Sequence, residues 1–398
     1  MKQFATCLLL LISLTNVLAQ KGGITFRTEP IDGIFATARS AGKPVFVEIY
    51  SPTCHVCQSF IPTLADSRVG KFYNGKYVST KLDIMNKATQ AWLTKKKLYV
   101  PSLPLFLYFD NKGNLMHLAM SNNSADEVIR HGTQALDPAA RGTNFRQRFA
   151  NGERNGNFLI DYGMFAKVTT DTVTNIRVME EYARQQPANQ LASQTNWLVT
   201  QKLVMDMDNP LAQNLINNIG QYKAYGAEEP RNVAENILMS TLYSGRGAQF
   251  PVSKIMQVRT GLTRIGIDPK VAANRTLLPE VNAYFRARQT AKAVARMDSQ
   301  ATNFPLSVAE YLYISRLFNK QSPDPSDVPT VTKWINKALS TNKATIQEQA
   351  DLYYELAQAQ HRANKDAEAR KAAQKALELA KAARIDTKRN VQQLAELK

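Results

Sequence analysis

The sequence predicts an α/β domain, with a central mixed sheet and flanking helices, followed by an all-α helical-repeat domain. Strand and helix patterns alternate between residues 24 and 140, no strand pattern recurs from Thr143 onward, and helical patterns broken by Pro and Gly fill the remainder. Alternating strands and helices are typical of α/β packing. We therefore predict one domain at 20–140 and a second at 141–398.

Composition excludes several classes of protein. The chain has 398 residues, of which 44% are hydrophobic, so general disorder is excluded. Three cysteines exclude a disulfide-dense scaffold and a four-cysteine zinc or iron–sulfur site. The formal charge of +17 is spread along the chain without a nucleic-acid-binding motif, and we expect no nucleic-acid partner.

Residues 1–19 are predicted to be a secretory signal peptide. Lys2 is followed by the apolar run Ala5–Leu14 and by the small-x-small sequence Val17–Ala19. The apolar run is too short to cross a membrane, which needs about twenty residues. We therefore expect a protein secreted across the inner membrane into the periplasm or cell envelope of a Gram-negative bacterium, with no transmembrane segment after signal removal.

The elements of the first domain follow from local patterns. Residues 31–41 read as a helix that ends before Gly42 and Pro44. Strands are predicted at 45–50, 77–83, 105–109 and 114–119, and the apolar third strand is expected to be central. The closing helix, 124–136, has Ser124 as its cap and Glu127 at the capping-box position.

The second domain is predicted to be a series of antiparallel helix hairpins, with 321–329 as a Pro-rich candidate linker. Its predicted helices span 171–186, 190–207, 211–225, 233–243, 278–297, 306–318, 332–339, 345–362 and 367–383. The last hairpin resembles a tetratricopeptide repeat at Tyr353, Leu356, Ala357, Ala369, Ala373 and Ala376, although Gln360 and Lys381 depart from the usual pattern. We expect this domain to bind a protein partner, because stacked hairpins form an extended concave surface.

The candidate chemistry lies in the motif Cys54-His55-Val56-Cys57, which follows a strand and begins a helix. Unpaired N–H groups and the helix dipole favour a thiolate at Cys54, so we expect a lowered pKa and a nucleophilic sulfur there. Cys57, one turn later, is placed to resolve a mixed disulfide.

Three other interpretations of the motif are weighed against this one. A zinc site would need about four ligands, and haem attachment would need a histidine where Gln58 stands. A structural disulfide is the serious rival, although it would close a short loop and so remove little unfolded-state entropy. No cofactor or metal is expected.

Residues 24–140 resemble an exported bacterial thioredoxin-fold domain. The resemblance rests on the CxxC motif and on Gly42–Val47, Glu48, Pro62, Lys81–Asp83 and Pro104 at the family's spacing. It implies Cys54 as nucleophile, Cys57 as resolving thiol and a redox-active disulfide between them. It also implies a cis-Pro104, with the backbone of Leu103 exposed to pair with a substrate segment.

The resemblance further implies that Glu48 is a buried proton acceptor for Cys57 and that Lys81 modulates it. The alternatives are an exposed position at the sheet edge for Glu48, a solvated strand position for Lys81 and an ordinary trans proline at Pro104.

Three departures from the family pattern surround the motif. Thr53 replaces the usual Trp, Glu replaces Asp at position 48, and His55 directly follows the first cysteine. His55 and Val56 are expected to tune the couple, but the imidazole can equally point to solvent. The motif therefore leaves open whether the protein reduces, oxidises or isomerises disulfides.

Two functions follow from the sequence. The first is an exported thiol–disulfide oxidoreductase that acts on disulfides or thiols of proteins or peptides and needs a redox partner of unknown identity. The second is a non-enzymatic envelope binding or scaffold protein, in which the helical domain carries the function and the disulfide is inert.

Overall fold

The computed structural model describes residues 22–397, so the predicted signal peptide lies outside the described residues. Within this range the chain forms two compact units that meet in sequence between Val204 and Met205. The sequence predicted a boundary between two domains at residue 140, where the strand patterns end and helical patterns follow. The first compact unit contains the sheet and the helices up to 202, and the predicted domain boundary at 140 stays a prediction. No helix of residues 22–397 has the length and apolar character needed to span a membrane.

The first unit is built around a mixed five-stranded sheet in the order β1-β3-β2-β4-β5. Its strands are β1 (Phe26–Arg27), β2 (Val45–Tyr50), β3 (Val78–Asp83), β4 (Leu105–Phe109) and β5 (Leu115–Ala119). β3 pairs in parallel with β1 and β2, whereas β4 is antiparallel to both β2 and β5. Every residue of β4 is buried, and β4 lies inside the sheet between β2 and β5, although the central strand of the five is β2.

Helices cover both faces of this sheet. The helices between the strands or directly after them in sequence are α1 (Ile31–Ala41), α2 (His55–Leu64), α3 (Ser67–Lys76), α4 (Lys87–Lys95) and α5 (Ala125–Leu136). On one face, Phe46 and Phe106 of the sheet pack with Phe60 of α2 and Tyr73 of α3. On the other face, the rings of Phe35 in α1 and Trp92 in α4 lie edge-on against the ring of Phe109. This arrangement fits a thioredoxin-like domain.

Four more helices complete the first unit: α6 (Phe145–Ala150), α7 (Gly156–Val168), α8 (Thr172–Arg184) and α9 (Gln194–Lys202). The aromatic rings of Phe145, Phe158 and Tyr162 pack together at centroid distances of 5.6–5.9 Å. The sequence missed α6 and α7, because their apolar residues do not form a clear helical stripe.

The second unit is helical throughout the described residues. Its helices are α10 (Pro210–Asn217), α11 (Glu229–Leu242), α12 (Val252–Arg264), α13 (Pro269–Arg275), α14 (Leu277–Arg286), α15 (Thr290–Asn303), α16 (Val308–Gln321), α17 (Val328–Ser340), α18 (Ile346–Arg362), α19 (Asp366–Ala382) and α20 (Lys388–Glu396). The prediction of one helix over 278–297 is wrong, because the chain turns between α14 and α15, where Arg288 has a φ of 54°.

The Pro-rich segment 321–329 is a packed connection inside this unit. Asp327 is fully buried and its carboxylate pairs with Arg362 of α18 at 2.8 Å and 3.1 Å. The following hairpin, α18 and α19, buries Leu356 and Ala357 against Ala369 and Ala373 within one apolar cluster. Its resemblance to a tetratricopeptide repeat stays a prediction.

Candidate functional site

A short turn after β2 positions the cysteine motif. Ser51 is buried where β2 ends, and its carbonyl accepts a hydrogen bond from the Cys54 N–H at 3.1 Å. Its Oγ lies 3.0 Å from Thr53 Oγ1 and accepts the Thr53 N–H at 3.3 Å. These three contacts fix the turn between the sheet and α2. The sequence reasoning missed Ser51, whose only signal is that it is the polar residue directly after a buried strand.

Cys54 is the N-cap of α2, and its side chain is half-buried. Its Sγ accepts a hydrogen bond from the Cys57 N–H at 3.3 Å, and its carbonyl accepts from Gln58 N–H at 3.0 Å. The Cys57 N–H belongs to the first turn of the helix and has no intrahelical partner of its own. A negative charge on the Cys54 sulfur is therefore stabilised by this donor and by the helix dipole.

Cys57 lies in the first turn of α2, three residues after Cys54, and is only 5% exposed. Burial, together with the neighbouring Cys54 and Glu48, raises the pKa of its thiol to about 12, against an opposing hydrogen bond from Ser51. Both cysteines are free thiols in the structure. Cys57 is therefore held as a neutral thiol that needs a base before it can attack.

Glu48 is the candidate base for the Cys57 proton. It lies on β2 with a side chain that is 4% exposed, and desolvation raises its pKa to about 7, although Lys81 opposes the rise. No hydrogen bond or ion pair to its carboxyl is formed by the residues from 22 to 397. A group with this pKa can accept and release a proton near neutral pH.

Lys81 is the register partner of Glu48 on β3, but its side chain is exposed. Its ammonium lies over the rings of Tyr50 and Phe26, at 5.2 Å and 5.7 Å from their centroids. The pair therefore interacts through the field of the lysine rather than by a direct contact. The sequence did not single out Tyr50 or Phe26.

The peptide bond between Leu103 and Pro104 is cis. Pro104 is buried and Leu103 is half-buried. β4 begins at the next residue, and its Leu105 pairs with Ile49 of β2. The topology thus places Pro104 at the same edge of the sheet from which the chain leaves β2 toward Cys54.

The remaining residues of the motif lie at the surface. Thr53 and His55 are exposed, and the side chain of Val56 is 54% exposed. None of them covers the half-buried sulfur of Cys54 with a large aromatic ring.

The chain was compared with family models, curated proteins and solved structures. No family model matches the chain, and no curated protein matches it. Among solved structures, the chain is similar to the disulphide isomerase from Xylella fastidiosa Temecula1, with 12% sequence identity and a TM-score of 0.21. The alignment covers 37% of this chain and 97% of that chain.

Proposed function

We propose that this protein is an exported thiol–disulfide oxidoreductase that acts on disulfides of proteins or peptides. The observation that carries the proposal is that two thiols one helical turn apart differ in exposure and in their surroundings. Cys54 is accessible and hydrogen-bonded as an acceptor at a helix N-terminus, whereas Cys57 is buried beside the carboxyl group of Glu48.

The reaction proceeds by two exchanges. The Cys54 thiolate attacks one sulfur of a substrate disulfide, so that a mixed disulfide forms and the other substrate sulfur leaves as a thiolate. Glu48 then accepts the proton of Cys57, and the Cys57 sulfur attacks Cys54. This step releases the second substrate thiolate and leaves a disulfide between the two cysteines. The backbone beside the cis Leu103–Pro104 bond is the proposed docking edge for the substrate segment.

Trapping of the mixed disulfide tests this mechanism. We expect Cys57→Ser to accumulate a covalent complex with a disulfide-containing substrate such as insulin, since Cys54 can attack but nothing releases it. Non-reducing electrophoresis and mass spectrometry would detect the complex. Cys54→Ser serves as the matched control, and it should trap nothing and lose turnover in dithiothreitol. Unchanged activity in Cys54→Ser would refute the proposal in favour of a binding protein with an inert disulfide.

The reduction potential of the couple decides the direction of the reaction. A value near about −270 mV would indicate a reductant, and one between about −120 and −180 mV an oxidase or isomerase. A value below about −300 mV is typical of a structural disulfide and would contradict the proposal. Equilibration in dithiothreitol and glutathione buffers measures it.

A further inference from the structure

A cavity of about 1010 Å³ opens beside the buried thiol. Its walls come from the segment that leads into β1, from the ends of β2 and β3 and from one side of α2. The apolar part of this wall consists of Ile24, Phe26, Ile61, Leu64 and Ala65. Sites for small organic ligands have volumes of about 300–1,000 Å³ and predominantly apolar walls. The cavity therefore has the size and lining of such a site.

Two ionisable groups in this cavity, those of Glu48 and Lys81, form no hydrogen bond or ion pair with a described residue. The carboxyl group of Glu48 is buried and lines the cavity without a hydrogen bond from any described residue. The ammonium of Lys81 lines it too, and within residues 22–397 it forms no ion pair with a carboxylate. Buried polar groups are normally hydrogen-bonded, so an unpartnered carboxyl aimed into a cavity indicates that a ligand or solvent meets it there.

We propose that this cavity binds a small amphiphile with an alkyl chain and a carboxylate, the carboxylate lying at Lys81 and the chain along Ile61 and Leu64. The ammonium supplies the attraction for the anionic end, and a protonated Glu48 donates a hydrogen bond to the same carboxylate. The apolar wall accounts for the chain. This inference goes beyond the proposed function, because binding requires no thiol chemistry.

The titratable groups that face the cavity make binding dependent on pH. They are Glu48 and Tyr50 on β2, Lys81 on β3 and Cys57 on α2, whereas residues 23–26 contribute none. Burial raises the pKa of Tyr50, with Asp83 and Glu48 adding to the effect, and Cys57 is neutral at the same pH. Glu48 is thus the group that changes charge near neutrality. Its ionisation places a second anion beside the ligand carboxylate.

Calorimetric titration of the full-length chain with dodecanoate at pH 6 tests the proposal. We expect saturable binding of one molecule per chain, weakened at least about tenfold in Lys81→Met, a loss of about 1.4 kcal/mol. Lys87→Met, at an exposed lysine of α4, is the matched control and should bind normally. Ala65→Phe should abolish binding by filling the cavity, and since Ala65 is exposed the fold is expected to persist, as circular dichroism would verify.

A pH series separates this site from nonspecific adsorption. The wild-type affinity should fall between about pH 6 and 8 as Glu48 ionises, whereas Glu48→Gln should bind equally across this range. Binding of several molecules per chain that is insensitive to Lys81→Met would overturn the proposal, as would the absence of saturable binding. Neither result bears on disulfide exchange, which the Cys57→Ser trap tests independently.

Discussion

At the scale of single residues, Glu48 shows how position sets chemistry. Its side chain is 4% exposed, and no described residue forms a hydrogen bond with its carboxyl group. Desolvation of this kind disfavours the charged form. The same burial that prepares Glu48 to exchange a proton therefore makes its ionisation costly to the fold.

Replacement of Glu48 by Gln should stabilise the protein at alkaline pH. The pKa of about 7 in the folded state exceeds the ordinary value of 4.5, so the native state binds more protons between these values and loses stability as pH rises through this window. We expect Glu48→Gln to be more stable than the wild type by up to about 3 kcal/mol at pH 8.5, and nearly equal to it at about pH 4. Urea unfolding at both pH values measures this.

An exposed acid provides the control for this experiment. Asp126 of α5 is almost fully exposed, so Asp126→Asn should change stability little at either pH. A destabilised Glu48→Gln at pH 8.5 would contradict the assignment of an unpartnered, costly carboxyl.

At the scale of elements, two buried histidines join β5 to α5. His117 of β5 is 2% exposed and its Nδ1 accepts the N–H of Gly142 at 3.0 Å, while the ring of His131 of α5 lies 6.3 Å away. Burial is the main cause that lowers their pKa values, to about 3 for His117 and about 4 for His131. Both rings are therefore neutral in the folded protein at neutral pH.

This junction should be sensitive to acid. The unfolded chain binds protons on both histidines below about pH 6.5, whereas the folded chain does not until about pH 4 or 3, so stability falls as pH is lowered through this window. His131→Leu removes one of these groups and should flatten the loss by about 2–3 kcal/mol between pH 6.5 and 4. Chemical unfolding of the first unit across this range, followed by tryptophan fluorescence, measures it.

The exposed His55 provides the matched control, and His55→Leu would be measured in the same way. Equal slopes in wild type and His131→Leu would show that His131 is hydrated in the native protein.

In the second unit, one ion pair holds the connection between α16 and α17. Arg362 donates to both carboxylate oxygens of Asp327 and to the carbonyl of Asp324 at 3.0 Å. Asp327→Ala leaves this largely buried guanidinium without its counterion and should lower the unfolding free energy by about 3 kcal/mol. Glu378→Ala, which breaks the exposed pair with Lys375, should cost less than about 1 kcal/mol. A comparable loss in both variants would contradict the structural role of Asp327.

The elements that the sequence predicted well are those with strong local patterns. Strands β2 and β4 and helix α1 have the predicted bounds, since apolar runs and the Gly42 stop are local features. Ser124 caps α5 as predicted, but Glu127 bonds Arg130 at 2.7 Å instead of closing the capping box. The strand β1 was missed, because two residues carry no periodicity and pair only through contact with β3.

The sequence also predicted which residues form the site, but not the cavity beside them. Spacing alone identified Cys54 and Cys57, and the resemblance added Glu48, Lys81 and the cis bond before Pro104. The cavity could not be foreseen, because it is formed by segments as far apart in sequence as Ile24 and Lys81. The predicted catalytic roles of these residues stay predictions until the variants are measured.

At the scale of the whole molecule, the redox capacity of the chain is set by its cysteine count. Cys54 and Cys57 are the cysteines of residues 22–397, and Cys7 falls within the predicted signal peptide. Residues 22–397 therefore store a single electron pair and contain no second couple to which that pair could pass. In the proposed reaction, each cycle must consequently end in a bimolecular encounter with an external donor or acceptor. The steady-state rate should then rise linearly with the concentration of that reagent until exchange with the substrate becomes limiting.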